Sequence, residues 1–414
     1  MNIKFLSSEL VEQGEQEPVS INSIEQNEDK QKNYRSFLQK SLNQILDAEN
    51  IIVLAGSGTS LTFNTEMLKI APSMADLWKA CRQMNEKVFD NIQGYIQYAD
   101  FAEKWRDEYG NEKIAEDIEL FLSRCDTFLY LKNLSDRRLS KLKKFIKDAK
   151  RKILEITDFT DNITTSRSWE HHNKLLRVLG KRQAKQQRLK IFTTNYDLAF
   201  EVAASNIGMT VIDGFEYSIP YRFNPSWFHY DIVHRTQSTN YLPNIFHLYK
   251  IHGSVDWIRT EQGIIQKRRN EKQQGDPVII YPSSNKYQTS YEPPYLDMIS
   301  SFLNAVQQPK TAILCLGFGF NDKHINNAIT MALRTNPELL LMVGTRSLFD
   351  EQGSFNQKIK KLLIDSIKAG DSRISLVDSC FADFVDQLPD RSKPTPEENI
   401  FKIFQDIAMG VNNE

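Results

Sequence analysis

The sequence predicts an α/β fold: a Rossmann-like, doubly wound, mostly parallel sheet with a helical insertion module that lacks a zinc site. Three observations predict it. Short apolar or β-branched runs recur between helical or turn segments at Ile51–Ala55, Leu189–Thr193, Thr210–Ile212, Ile245–Ile251, Val278–Tyr281, Ala312–Leu316, Leu339–Val343 and Ile374–Val377. Near-continuous apolar strands of this kind belong to sheets covered on both faces. Several of them end in glycine-, amide- or histidine-bearing turns, at the carboxyl ends where open α/β sheets bind ligands. Between the first and second strands, residues 66–187 instead repeat Leu, Phe and Ile at three- and four-residue spacing among charged residues, as helices do.

Taken in order, residues 1–33 read as a polar N-terminal arm, because 7–33 are rich in Glu, Gln, Asn and Ser with few large apolar groups. Ser36–Ala48 carries Phe37, Leu42, Ile45 and Leu46 at helical spacing. The sheet domain then comprises 34–65 and 188–390, the helical insertion 66–187, and a C-terminal helix 391–414. Within the insertion, Lys132–Ile153 is basic, with Leu142, Phe145, Ile146, Ala149 and Ile153 on one stripe. That pattern fits a solvated amphipathic helix; a surface for nucleic acid or an acidic partner is the alternative. Lys181–Lys190 and Lys267–Arg269 add local positive charge without aromatic interleaving, so direct nucleic-acid binding stays open.

Composition bounds the rest. The 414 residues carry a net charge of −1, which gives no global pull toward nucleic acid or anionic membrane. No apolar run is long enough to span a bilayer, and the N-terminus lacks a signal-peptide core, so a cytoplasmic protein is expected. Cys81, Cys125, Cys315 and Cys380 lie far apart with no C-x-x-C, which argues for reduced packing thiols. No histidine stands at metal-ligand spacing with Cys or acidic residues, so no metal is expected.

The chemistry-bearing turns come next. Ile51–Ala55 feeds into Gly56-Ser-Gly-Thr-Ser60, a turn expected to leave backbone N–H groups facing a phosphate, with no Cβ in the way at Gly56 and Gly58. Leu61 stands where a dinucleotide fingerprint would have its third glycine, and no acidic residue ends a second strand some twenty residues on, which disfavours a hydride-transferring dehydrogenase. No Lys-Ser/Thr follows the glycines, which disfavours a Walker-type ATPase. Thr194-Asn-Tyr-Asp197 sets an amide and a carboxylate two apart at a strand end, able either to face one pocket or to cap the following helix. His252 ends another strand, and Gly253 permits a sharp turn there.

The order of Gly56-Ser-Gly-Thr-Ser60, Thr194-Asn-Tyr-Asp197, His252-Gly-Ser254 and Gly317-Phe-Gly-Phe-Asn-Asp322 resembles the sirtuin superfamily. It is most similar to the bacterial sirtuin-like branch whose members hydrolyse NAD in antiphage defence. The resemblance covers about 51–65 and 189–388. It implies NAD as substrate, Asn195, Asp197 and His252 as catalytic residues, and contacts to NAD from Ala55, Gly56, Ser57, Gly58, Thr59, Ser60, Thr194, Gly317, Phe318, Gly344, Thr345, Cys380 and Phe381. It also implies a homo-oligomer or a HerA-like hexameric ATPase as regulating partner. The four-cysteine zinc module and the Gly-x-x-Asp-Phe-Arg run of protein-deacylating sirtuins are absent from this sequence, where Leu61-Thr-Phe-Asn64 follows the loop. Water is therefore the expected acceptor. The alternatives are an NAD-dependent protein deacylase, a non-catalytic NAD or ADP-ribose sensor, and a partner-dependent nuclease.

Overall fold

The computed structural model describes residues 3–22, 28–61, 71–102, 104–106, 110–131, 135–159, 169–182, 186–235, 239–267, 276–279, 293–351 and 353–389. Among these residues nine strands form the main sheet: β1 (Lys4–Ser7), β2 (Val19–Ser20), β3 (Asn50–Ala55), β4 (Leu189–Thr193), β5 (Thr210–Ile212), β6 (Ile245–Lys250), β7 (Thr311–Leu316), β8 (Leu340–Thr345) and β9 (Ile374–Asp378). Their spatial order is β2-β1-β9-β8-β7-β3-β4-β6-β5. The seven from β9 to β5 are parallel. The chain leaves β3 toward β4 on one side and later returns to lay β7 on the other, pairing Thr311 through Leu316 with Asn50 through Ala55. The topological switch point, where such sheets bind ligands, is therefore at β3.

Burial on both faces explains why these strands are apolar throughout. Ile51, Val53 and Ala55 face a core shared with the helices Glu28–Asp47, Glu170–Gly180 and Ala199–Asn206. Ile52 and Leu54 face a second core shared with Tyr295–Val306, Lys323–Thr335 and Gln357–Lys368. The sheet is doubly wound, as expected.

The N-terminal segment corrects the expectation of a polar arm. β1 pairs antiparallel with β9, β2 pairs with β1, and a helix at Ser8–Glu12 lies between them. Phe5, Leu6, Leu10 and Ile21 are fully buried. With Ile3 and Val19 these apolar side chains dock the segment, and the polar residues between them dominate its composition and conceal it. The helix after it starts at Glu28, ahead of Ser36. The C-terminal helix expected at 391–414 lies outside the described residues.

The insertion packs around its own core. Leu77, Trp78, Phe89, Ile92, Phe121, Leu142, Phe145 and Ile153 cluster there, with Phe89 and Phe121 stacked at 4.3 Å. The stripe on the basic helix, observed at Asp136–Thr157, points into this core. A short antiparallel pair, Lys104–Arg106 with Glu112–Ile114, interrupts the helices. The helix Glu170–Gly180, expected within the insertion, packs instead on the sheet core through Leu175, Leu176 and Leu179.

Directly after β6, Gly253–Thr260 enters a four-stranded antiparallel sheet of spatial order Asp276–Ile279, Gly253–Thr260, Gly263–Gln266, Tyr221–Arg222. The expected strand Val278–Tyr281 belongs to it rather than to the parallel sheet, and its residues from 280 on lie outside the described ones. Among the described residues, no helix is long and apolar enough to cross a membrane.

His172 gives this fold a pH signature. It is fully buried against Trp169, Phe200 and Phe381, and neither ring nitrogen has a hydrogen-bond partner among the described residues. Burial drives its pKa from 6.5 down to about 3. Between those values the unfolded chain binds the extra proton, so His172 makes stability fall as pH drops below 6.5. Asp213, raised by burial to about 6, works in the opposite sense below that pH. The difference between His172→Leu and wild type isolates the histidine. By urea unfolding at pH 7 and pH 5, the variant is expected to lose about 2 kcal/mol less than wild type on acidification. Equal losses would show that His172 is not held neutral.

Candidate active site

Three turns meet at the switch point. The first is the one after β3, where Ser57–Thr59 form a single 3₁₀ turn. Its glycines do something other than expected. A Cβ on Gly56 would stand 2.6 Å from the carbonyl oxygen of Gly317, and one on Gly58 would stand 2.6 Å from the Gly317 Cα. The Gly56 amide donates to the Leu316 carbonyl and the Gly58 amide to the Gly317 carbonyl, while those of Thr59 and Ser60 close the turn on Gly56 and Ser57. The turn is thus stitched to the loop after β7, and these four amides are already committed. The residues that follow the turn, 62–70, lie outside the described ones.

The second turn carries Asn195 and Asp197, both nearly buried. Asn195 Nδ2 donates to the Gly56 carbonyl at 3.0 Å, to Thr59 Oγ1 at 3.2 Å and to Ser60 Oγ at 2.9 Å. Its amide is thereby oriented, and its carbonyl oxygen is the group it can offer a ligand. Ser60 Oγ donates in turn to Asp197 Oδ2 at 2.8 Å, and Asp197 Oδ1 accepts the Ala199 amide at 3.0 Å. Asp197 therefore closes an Asx turn into the helix and anchors the Ser60–Asn195 relay. This is the capping alternative and the pocket alternative in one residue.

Lys250 lies beneath this turn, 1% exposed, a buried cation that the sequence does not single out. Its Nζ donates to the carbonyls of Tyr196 and Asp197 and pairs with Glu201 at 2.9 Å. A buried ammonium with three acceptors is satisfied and ties the Asn195 turn to β6.

The third turn, Ile251-His252-Gly253, leads from β6 into the antiparallel sheet, where a Cβ on Gly253 would collide with the Val278 carbonyl. His252 Nε2 lies 3.2 Å from Asp322 Oδ2, both side chains about nine-tenths buried. Asp322 also caps the helix Lys323–Thr335, its Oδ1 accepting the amides of His324 and Ile325.

These turns line one cavity of about 220 Å³ with Gly56, Ser57, Ser60, Thr194, Asn195, Asp197, His252 and Phe318. Ala55, Gly58, Thr59, Gly317, Gly344, Thr345, Cys380 and Phe381 do not line it. Ala55 and Thr59 are buried behind it, Gly344 packs against Phe384, and Cys380 caps the helix Phe381–Asp386. The insertion supplies the facing wall: Pro72, Met74, Leu77, Glu119, Thr157 and Phe159. Besides Ala71 and Gly319, the lining is completed by Tyr196, Asn321 and Asp322. The motif strings already contained these last three; the insertion wall depends on long-range packing that no local signal announces. The lining holds the carboxylates of Glu119, Asp197 and Asp322 and, among the described residues, no lysine or arginine. Nor do the described residues contain a group of three or more His, Cys, Asp or Glu arranged to hold a metal ion.

Among solved structures the chain is similar to a Sir2 homologue, a serine-to-alanine variant complexed with ADP ribose, at 9% identity over 80% of this chain and 95% of that one, TM-score 0.30. It is similar at the same level to a cytosolic 5′-nucleotidase IIIB bound to cytidine: 11% identity, 90% and 92% coverage, TM-score 0.31. No curated protein sequence matches. The sequence model of the SIR2-like domain matches residues 189–367, the stretch that carries Asn195, Asp197, His252 and Gly317–Asp322.

Proposed function

We propose that this protein hydrolyses NAD at the nicotinamide–ribose bond, releasing nicotinamide and ADP-ribose. The observation that supports it is the convergence of Asn195, His252 and three carboxylates on one small cavity at the switch point. About 220 Å³ is below the ~300–1,000 Å³ of sites for drug-sized ligands, which suits one end of a dinucleotide rather than the whole. A carboxylate-lined cavity without lysine or arginine suits the cationic pyridinium end, and disfavours the pyrophosphate there.

The nicotinamide leaves as a neutral base, the C1′–N bond pair departing with it, so departure needs no general acid. The ribose left behind is oxocarbenium-like, and Glu119, Asp197 and Asp322 supply negative potential around it. The carbonyl oxygen of Asn195 holds a water near C1′. As the water oxygen bonds to C1′, its proton passes to His252. Asp197, with both oxygens engaged, acts through Ser60 and Asn195 as well as on any ligand carboxamide.

An antiviral effector role in the cytoplasm, regulated by homo-oligomerisation or by a HerA-like hexameric ATPase, belongs to the same proposal and rests on the motif resemblance. The test is nicotinamide release from NAD by purified protein, with and without an acetylated peptide. Release without peptide, lost in His252→Ala, is the expected result. Turnover only with peptide would favour a deacylase, and saturable binding without turnover, even with a partner ATPase added, would favour a sensor.

A further inference from the structure

We propose that Asp322 is a positioning residue: it holds His252 as the Nε2–H tautomer, so that Nδ1 carries the lone pair that takes a proton during the reaction. The proposal rests on the hydrolase reading for its kinetic part only. Asp322 is fixed from two sides. One carboxylate oxygen accepts the amides of His324 and Ile325 at 2.9 and 3.2 Å, and the other faces His252 Nε2 at 3.2 Å. An ionised carboxylate accepts and cannot donate, so the nitrogen it faces must carry the hydrogen. Asp322 stands at the N-cap of a thirteen-residue helix, where those two amides hold the first oxygen in place. The other carboxylates of the cavity, Asp197 and Glu119, are anchored elsewhere: Asp197 by Ser60 and the Ala199 amide, Glu119 in the first turn of the insertion helix Ile118–Leu131. Proton transfer then runs from water oxygen to Nδ1: the O–H bond breaks, an Nδ1–H bond forms, and the resulting imidazolium lies against the Asp322 carboxylate.

Asp322→Asn separates this role from helix capping. Asparagine caps as well as aspartate, so its oxygen keeps the His324 and Ile325 amides. Its NH₂ then points at Nε2 and can only donate, which inverts the tautomer. The experiment records imidazole nitrogen resonances of the full-length protein, ¹⁵N-labelled at histidine, at pH 8.5. His252 is assigned by its loss in His252→Gln. The expected result is an Nε2–H tautomer in wild type and Nδ1–H in Asp322→Asn, with thermal unfolding unchanged. With NAD, kcat is expected to fall by on the order of 10²–10⁴ and KM to change little, as when a wrong tautomer is enforced on a catalytic imidazole. An Nδ1–H tautomer in wild type, the same tautomer in both proteins, or an inverted tautomer with unchanged kcat would each overturn the proposal. If wild type releases no nicotinamide, the hydrolase reading fails while the tautomer assignment is still decided.

Discussion

Asn195→Ala is expected to lower nicotinamide release by about 10²–10³-fold while the protein stays folded. That is the usual effect of deleting one positioned polar group from a transition state, about 3–4 kcal/mol. Two features make the variant informative. First, the three acceptors of the Asn195 amide are not orphaned by its loss. The Gly56 carbonyl keeps the Thr59 hydroxyl at 2.9 Å and the Thr59 amide at 3.0 Å, and Ser60 keeps Asp197. The cost in stability should therefore stay near 1 kcal/mol. Second, Ser60→Ala breaks the relay one step further back, removing the hydroxyl that joins Asn195 to Asp197 without touching the Asn195 carbonyl oxygen. It should cost less, about tenfold. Chromatographic quantification of nicotinamide, with calorimetric titration of NAD, separates turnover from binding. A full rate in Asn195→Ala would remove this side chain from the mechanism.

How far the sequence reaches depends on what each residue's environment writes into it. Strands buried on both faces must be apolar throughout, so Ile51–Ala55 and Ala312–Leu316 are legible as central strands. β1 and β2 are short, and their few buried apolar side chains, Phe5, Leu6 and Val19, are outnumbered by the polar residues around them, so composition conceals them. Gly253–Thr260 shows no alternation because Asp256, hydrogen-bonded to Ser254 and Gln266, is buried along with Trp257 and Ile258. At the site, Asn195, Asp197 and His252 are legible because polar residues at strand ends are exceptions to an apolar pattern. The pairing of His252 with Asp322, the Lys250 anchor and the Met74–Phe159 wall join residues far apart in the chain, and local pattern says nothing of them. The glycines after β3 are the instructive case: a missing Cβ marks a close approach, but not what approaches.

That close approach yields the second large effect. Gly317→Ala is expected to destabilise the protein by about 2–5 kcal/mol, a large share of the 5–15 kcal/mol of a typical domain. Two costs combine there. Gly317 has φ +56, where an L-residue gives up about 1–2 kcal/mol. Its new Cβ would also stand 2.5–2.6 Å from the Gly58 and Thr59 backbone, which cannot swing aside as a side chain can. Overpacking of that kind costs about 1–3 kcal/mol. Two other glycines separate the terms. Gly370 has φ +94 with nothing within 4 Å of a Cβ, so Gly370→Ala carries the conformational cost alone, about 1 kcal/mol. Gly58 has no positive φ but the same crowded partner, so Gly58→Ala carries the steric cost alone. Urea unfolding of the three variants should therefore rank Gly317 above Gly58 above Gly370. Crowding at Gly58 or Gly317 also pushes the turn after β3 off the loop after β7 and carries the Gly56 carbonyl away from Asn195. Both variants should lose nicotinamide release at temperatures where they are still folded, while Gly370→Ala keeps it. Wild-type stability in Gly58→Ala would mean that the two loops are not packed backbone to backbone, and the oriented amide of Asn195 would lose its physical basis.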